Sequence, residues 1–186
     1  VVTSGKGGVG KTTLTASLGI AIAETGKKVV LVDADIGLNN LDVVLAVENK
    51  VVYDVLDVIS GKCRLKQALI QDVDNPTLYV LPSAKIQDSP LITACSFRNV
   101  VDALARNFDF VIIDCPAGID NGFHRAVSAA TEAIVVTTPH ISAVRDADKV
   151  LSILSGYCLM SVGLVVNRVR GDMVSKGEMM SAGDIV

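Results

Sequence analysis

Short apolar runs alternate along this chain with stretches in which apolar positions recur every three or four residues. The runs at residues 1–3, 28–32, 77–81, 110–113, 133–137 and 162–166 read as strands. The helical period appears at 11–25, 52–59, 96–108 and 143–154. Gly26 and Gly61 are placed to stop the first two helices, and Pro82 closes the third strand. Ser96 is the expected N-cap of the third helix, whose Phe97, Val100, Val101, Leu104 and Ala105 share a face. Strand–helix alternation with short strands predicts an α/β fold built on a doubly wound, mostly parallel sheet. Ligands bind such sheets at the carboxyl ends of the strands. The polar residues expected there are the loop from Ser4, then Asp33, Asp114, Thr137 and Asn167.

Composition narrows this picture. A length of 186 residues fits a single domain with a real core. Half the residues are hydrophobic but only 4% aromatic, so the core is mostly Val, Ile, Leu and Ala, as a sheet buried on both faces requires. The net charge of −3 carries no bias toward nucleic acid, and any such binding needs a local patch. Cys63, Cys95, Cys115 and Cys158 are far apart and read as reduced, buried thiols. No apolar run approaches the roughly 18 residues that span a bilayer, and no leader pattern opens the chain, so a cytoplasmic location is expected. The chain starts inside a strand pattern and stops near residue 186 where a helix pattern begins. We therefore expect one domain over 1–186, incomplete at both ends.

The first strand is followed by Gly5-Lys6-Gly7-Gly8-Val9-Gly10-Lys11-Thr12, a match to G-x-x-x-x-G-K-[ST] that opens a helix. Glycines let successive N–H groups turn onto phosphate oxygens, and the helix N-terminus adds positive charge. Lys11 would reach the β- and γ-phosphates of a nucleotide, and the Thr12 hydroxyl would bind Mg2+. Asp114, at a strand tip beside the loop, suits the outer shell of that metal, although an Asp there can also cap a turn. Pro116, Ala117 and Gly118 follow it and can sense the γ-phosphate as a switch. Asp33-Ala34-Asp35 ends the second strand, and alternation puts both carboxylates on one side if the chain stays extended. One can support the metal and the other can orient an attacking water; a solvated acidic loop is the plainer reading. Asn167 can address a purine edge or simply shape a turn. Lys6 is a second lysine in a loop that needs one, and it either faces water or reaches across a surface.

The segment Lys6–Thr13 resembles the signature of the deviant Walker A ATPases, the ParA/MinD family of P-loop NTPases. Residues 33–42, 51–54 with 67–70, 114–119 and 142–148 make it similar to the septum-site-determining branch, and Asn167-Arg168 and residues 173–180 continue the match. The resemblance implies a weak ATPase, stimulated by a partner, that uses ATP and Mg2+. It implies that Lys6 crosses a homodimer interface to the partner's ATP, so dimerisation needs the γ-phosphate. Lys11, Thr12 and Thr13 would hold phosphate and metal, Asp33 and Asp114 the metal's outer shell, and Asp35 the hydrolytic water. Asn167 and Arg168 would meet the base, and Asn40 would belong to the first switch with Asp35. It further implies a MinC-like inhibitor, a MinE-like activator, and an anionic membrane surface at the inner face of the cell membrane, reached through a C-terminal helix lying beyond this chain. Without that helix and the last strands, weak ATP binding and no vesicle binding are expected of residues 1–186 alone. Asn39 stands where many relatives carry a basic residue, and residues 85–96 fit the pattern poorly. Related alternatives are a partition ATPase that binds DNA, which the scattered basic residues disfavour; a flagellar-number regulator; and a nitrogenase iron protein, which needs a cysteine-held cluster.

Overall fold

The computed structural model describes residues 1–37, 40–84 and 90–185. Asn39 and residues 85–89 of the poorly matching stretch lie outside them. Seven strands form one sheet: β1 (Val2–Thr3), β2 (Val29–Asp33), β3 (Ile70–Gln71), β4 (Leu78–Leu81), β5 (Phe110–Asp114), β6 (Glu132–Thr137) and β7 (Ser161–Val166). Their order is β3-β4-β2-β5-β1-β6-β7. Every pairing is parallel except that of the two-residue edge strand β3 with β4. The helices are α1 (Lys11–Glu24), α2 (Leu41–Val44), α3 (Val55–Ile59), α4 (Leu65–Ala68), α5 (Ala94–Ala105), α6 (Asn121–Ser128), α7 (Ile141–Leu154) and α8 (Gly171–Ser175).

Strand β2 shows why the sheet is built from short branched aliphatics. Val29, Val30, Leu31 and Val32 are all fully buried. Val29 and Leu31 join the cluster that holds Ala16 and Ala23 of α1, whereas Val30 and Val32 join Phe97 of α5, Phe123 of α6 and Val150 of α7. Period-two alternation thus feeds two cores, one on each face. Full burial of each such side chain contributes about 1.5–3 kcal/mol.

The expected strands and long helices are present with shifts of a few residues at their ends. The N-cap of α5 is Thr93, not Ser96. Its hydroxyl accepts from the Ser96 N–H at 3.1 Å while the Ser96 hydroxyl accepts from the Thr93 N–H at 2.9 Å, so Ser96 closes a capping box from the third helical position. Helix α6 has no counterpart in the sequence reading. It opens on Asn121-Gly122, which looks like a turn, and its stripe is only Phe123, Ala126 and Val127. The end of the chain forms a 3-10 turn at Ala182–Asp184 where a helix was expected. The thiols are also less buried than expected. Cys115 is buried, but Cys95 and Cys158 are exposed, since they lie in the first turn of α5 and in the turn after α7.

The chain leaves β1 toward β2 on one side of the sheet and leaves β5 toward β6 on the other. The connections therefore diverge at the carboxyl ends of β1 and β5, the place where an open α/β sheet leaves a crevice.

Candidate functional site

Residues 4–10 fill that crevice and deliver the chain into α1. Ser4 Oγ donates to the Lys6 carbonyl at 2.7 Å and holds the turn. Gly5 packs so closely on α7 that a Cβ would sit 2.4 Å from the Asp146 carbonyl oxygen. Gly10 has φ 103°, a left-handed conformation that favours glycine, and it caps α1 without any side chain. The first-turn N–H groups of α1 are therefore not satisfied by a side-chain cap, and no acidic residue stands in that turn. The result is a concave, electropositive helix end suited to an anion. Lys11 begins the helix and is only 8% exposed, yet among the described residues it has no ion-pair partner. Thr12 and Thr13 follow it, half-buried and exposed.

Beneath the helix end lies a cluster of carboxylates. Asp33 and Asp114 end β2 and β5 and are register partners on adjacent parallel strands. Each is 1% exposed. Thr15 Oγ1 donates to Asp114 Oδ1 at 3.1 Å, and the Thr12 hydroxyl bonds the same carboxylate. Burial pushes Asp114 upward, against those hydroxyls and the nearby Lys11 charge. Burial likewise pushes Asp33 up to about 7, although it accepts N–H groups from Asp35 at 2.9 Å and Leu41 at 3.2 Å, and the charges of Asp114 and Asp35 add to the rise. Two buried acids side by side, with Lys11 near Asp114, form a site that a divalent cation would complete. Among the described residues no three His, Cys, Asp or Glu side chains could by themselves hold a metal, so water and phosphate would supply most of its ligands.

Asp35 does not reach the site by strand alternation. The chain turns at once after β2: the Asp33 carboxylate accepts the Asp35 N–H, and the Ile36 N–H bonds the Ala34 carbonyl at 3.1 Å. Asp35 is half-buried and close enough to Lys11 to feel its charge, while burial raises it overall. Asn40 is exposed and starts α2, and its neighbour's N–H ties that segment to Asp33. Of Pro116, Ala117 and Gly118, Ala117 faces the loop, its methyl 3.8 Å from where a Gly7 Cβ would stand, whereas Pro116 packs toward Gly122 and Gly118 lies beside Asp120. Asn167 reaches the loop from β7: its Nδ2 donates to the Val9 carbonyl at 2.8 Å, and its Oδ1 accepts the Arg168 N–H at 2.9 Å. Asn167 thus shapes the turn after β7 and also ties that turn to the loop.

Two expected residues stand apart. Lys6 is exposed and donates to Ser142 Oγ on α7 at 3.0 Å, so it points away from the concavity of its own loop. Arg168 is exposed at φ 62° in the turn after β7. Thr15 and Ser142 were missed by sequence reasoning; a threonine one turn after Lys11 on a helix otherwise apolar toward the sheet was the available signal. The cysteine-held cluster finds no support here, because Cys115 is buried and its thiol is pushed up to about 12.

Residues 1–156 match the family model described as "AAA domain". The chain is 51% identical over 185 residues to the putative septum site-determining protein MinD of Guillardia theta, covering all of this chain and 69% of that protein. It superimposes on the solved MinC:MinD cell division protein complex of Aquifex aeolicus with TM-score 0.90 at 44% identity, over all of this chain and 74% of that one. MinD of Pyrococcus horikoshii OT3, solved with Mg-ADP, matches with TM-score 0.85 at 34% identity over 99% of this chain and 74% of its own.

Proposed function

Because this chain belongs to the MinD family of septum site-determining ATPases, we propose that it is the nucleotide-binding body of a division-site switch that hydrolyses ATP with Mg2+. The observation that carries the reading is the register pair Asp33–Asp114 under the uncapped N-terminus of α1, with Lys11 buried between loop and carboxylates. Loop N–H groups and Lys11 would cradle the β- and γ-phosphates. Thr12, with Asp33 and Asp114 through water, would hold Mg2+, which neutralises charge on the triphosphate when bound. Asp35 would hold the attacking water in line; burial raises its carboxyl above the usual range, which makes its ionised form a stronger base. Asn40 and residues 116–118 would report the γ-phosphate to the surface.

In this reading Lys6 leaves Ser142 and reaches the partner's triphosphate when two copies meet face to face. A cation brought to phosphate in a water-poor interface is worth more than one in bulk water, and ADP offers less charge to gather it. The γ-phosphate would then control dimerisation, and with it the recruitment of a MinC-like inhibitor, release by a MinE-like activator and membrane residence. None of the described helices is long and apolar enough to cross a membrane, and the attachment we propose is peripheral, through a short amphipathic helix outside this chain. The relatives being septum-site proteins, the partition and flagellar alternatives are not favoured.

The test uses the complete reading frame that carries this chain. ATP, but not ADP, should shift it from monomer to dimer in sedimentation and carry it down with anionic vesicles. Lys6→Ala should stay monomeric while still binding nucleotide, and Lys11→Ala should bind none. Dimerisation indifferent to the γ-phosphate or to Lys6 would refute the switch, and ATP-dependent pelleting with duplex DNA would reassign the function to partition.

A further inference from the structure

A groove of about 1410 Å³ opens beside the proposed hydrolysis centre. Asp35 and Pro116 line it together with Asp120 and Arg125 of the α6 region. Arg125 lies near the strand-end proline: a methyl group placed on Gly122 would fall 2.8 Å from Pro116 Cγ and 3.6 Å from Arg125 Nη2.

Arg125 is an unusual lining residue. It is half-buried, and its Nε is buried without any hydrogen-bond acceptor. Its Nη1 donates weakly to the Ile92 carbonyl at 3.3 Å. Among the described residues no carboxylate pairs with it. Burial holds the guanidinium below its ordinary range, the direction expected of a charge lacking compensation. A guanidinium carries five donors in a flat fork that matches an oxyanion, so most of its capacity is unused. Elsewhere the groove is acidic, with Asp35 and Asp120 on its wall. An anion set free beside Asp35 is repelled there and meets one permanent cation among the described lining residues.

We propose that Arg125 is an oxyanion site that takes inorganic phosphate, the first stop of the hydrolysis product on its way out of the nucleotide pocket. The choice of phosphate rests on the hydrolysis reading above; the cation in the groove does not. The site is separate from the loop, which holds the phosphates still bonded to nucleotide.

The experiment follows the side-chain Nε–H signal of Arg125 by NMR, assigned by its loss in Arg125→Lys. The protein is saturated with Mg2+ and a non-hydrolysable ATP analogue, so that the loop is filled, and inorganic phosphate or acetate is added at constant ionic strength. Phosphate should move the signal saturably, and acetate should do so far more weakly. Arg125→Gln should weaken phosphate binding about tenfold or more, and leave the analogue's affinity unchanged. Arg125→Lys should keep part of the phosphate affinity, since it keeps the charge and loses the fork. An Nε–H signal indifferent to phosphate overturns the proposal, as does phosphate affinity equal in parent and Arg125→Gln. An equal response to acetate overturns the assignment to phosphate. If the analogue itself does not bind, the nucleotide reading fails, and the same titration of the nucleotide-free protein still decides for or against the site on Arg125.

Discussion

Replacing Asp33 by Asn should reverse the order of stability between parent and variant as pH rises. In the folded chain burial lifts the Asp33 carboxyl from 3.8 to about 7. In the unfolded chain it titrates near its ordinary value, so from about pH 4 to about pH 7 the folded state holds the extra proton. This group's contribution is therefore fully present below about pH 4 and is lost as pH climbs through about 7. Nearly two pH units at roughly 1.4 kcal/mol each put the parent's loss between pH 5 and pH 8 at about 2.7 kcal/mol. Asn does not titrate, but it carries a penalty of its own. The two Asp33 oxygens accept N–H groups from Asp35 and Leu41. An amide can accept only one of them and turns its NH2 toward the other, which costs about 1–3 kcal/mol. Asp33→Asn should thus be the less stable protein at pH 5 and should draw level with or pass the parent by pH 8. Urea unfolding in EDTA, without nucleotide, at four pH values between these limits gives the difference curve, which cancels the other titrating groups. Added Mg2+ should shrink the parent's decline and leave the variant's curve unchanged. Parallel curves for parent and variant in EDTA would refute the burial argument for this carboxylate.

Three further outcomes follow from the same geometry. Asn167→Ala removes the donor to the Val9 carbonyl and should weaken nucleotide binding about tenfold in calorimetric titration. Thr15→Val leaves the buried Asp114 without one of its hydroxyl donors and should cost about 1–3 kcal/mol in metal-free unfolding, with a smaller loss in Mg2+. Thr93→Ala should destabilise by about 1 kcal/mol through loss of the α5 cap; an unchanged midpoint would return the cap to Ser96.

Several of these features were legible in the sequence for simple reasons. A run such as Val29–Val32 reads as a strand buried on both faces because it is short, rich in β-branched residues and preceded by a glycine turn, where a buried helix would need a longer apolar stretch. The loop 5–12 is legible because close phosphate approach demands glycines at fixed spacing, and Asp114 because a carboxylate closes a buried apolar strand. Helix α6 was hidden because its stripe is three residues long, and β3 because two residues carry no period.

What the sequence determined by itself, then, is local: which segments are strands or helices, which residues form the phosphate loop, and which acids end strands. Tertiary structure alone decided how those parts meet. The register Asp33↔Asp114 follows from which strands are neighbours, and only burial of both makes their carboxyls resist ionisation. The tie from Asn167 to Val9 joins residues 158 positions apart, and the resting contact of Lys6 with Ser142 spans 136. Arg125 carries no signal in the sequence; packing leaves it half-buried beside the groove, without a carboxylate partner among the described residues. Distance, desolvation and the identity of a partner are properties of the folded surface, and no single stretch of chain contains them.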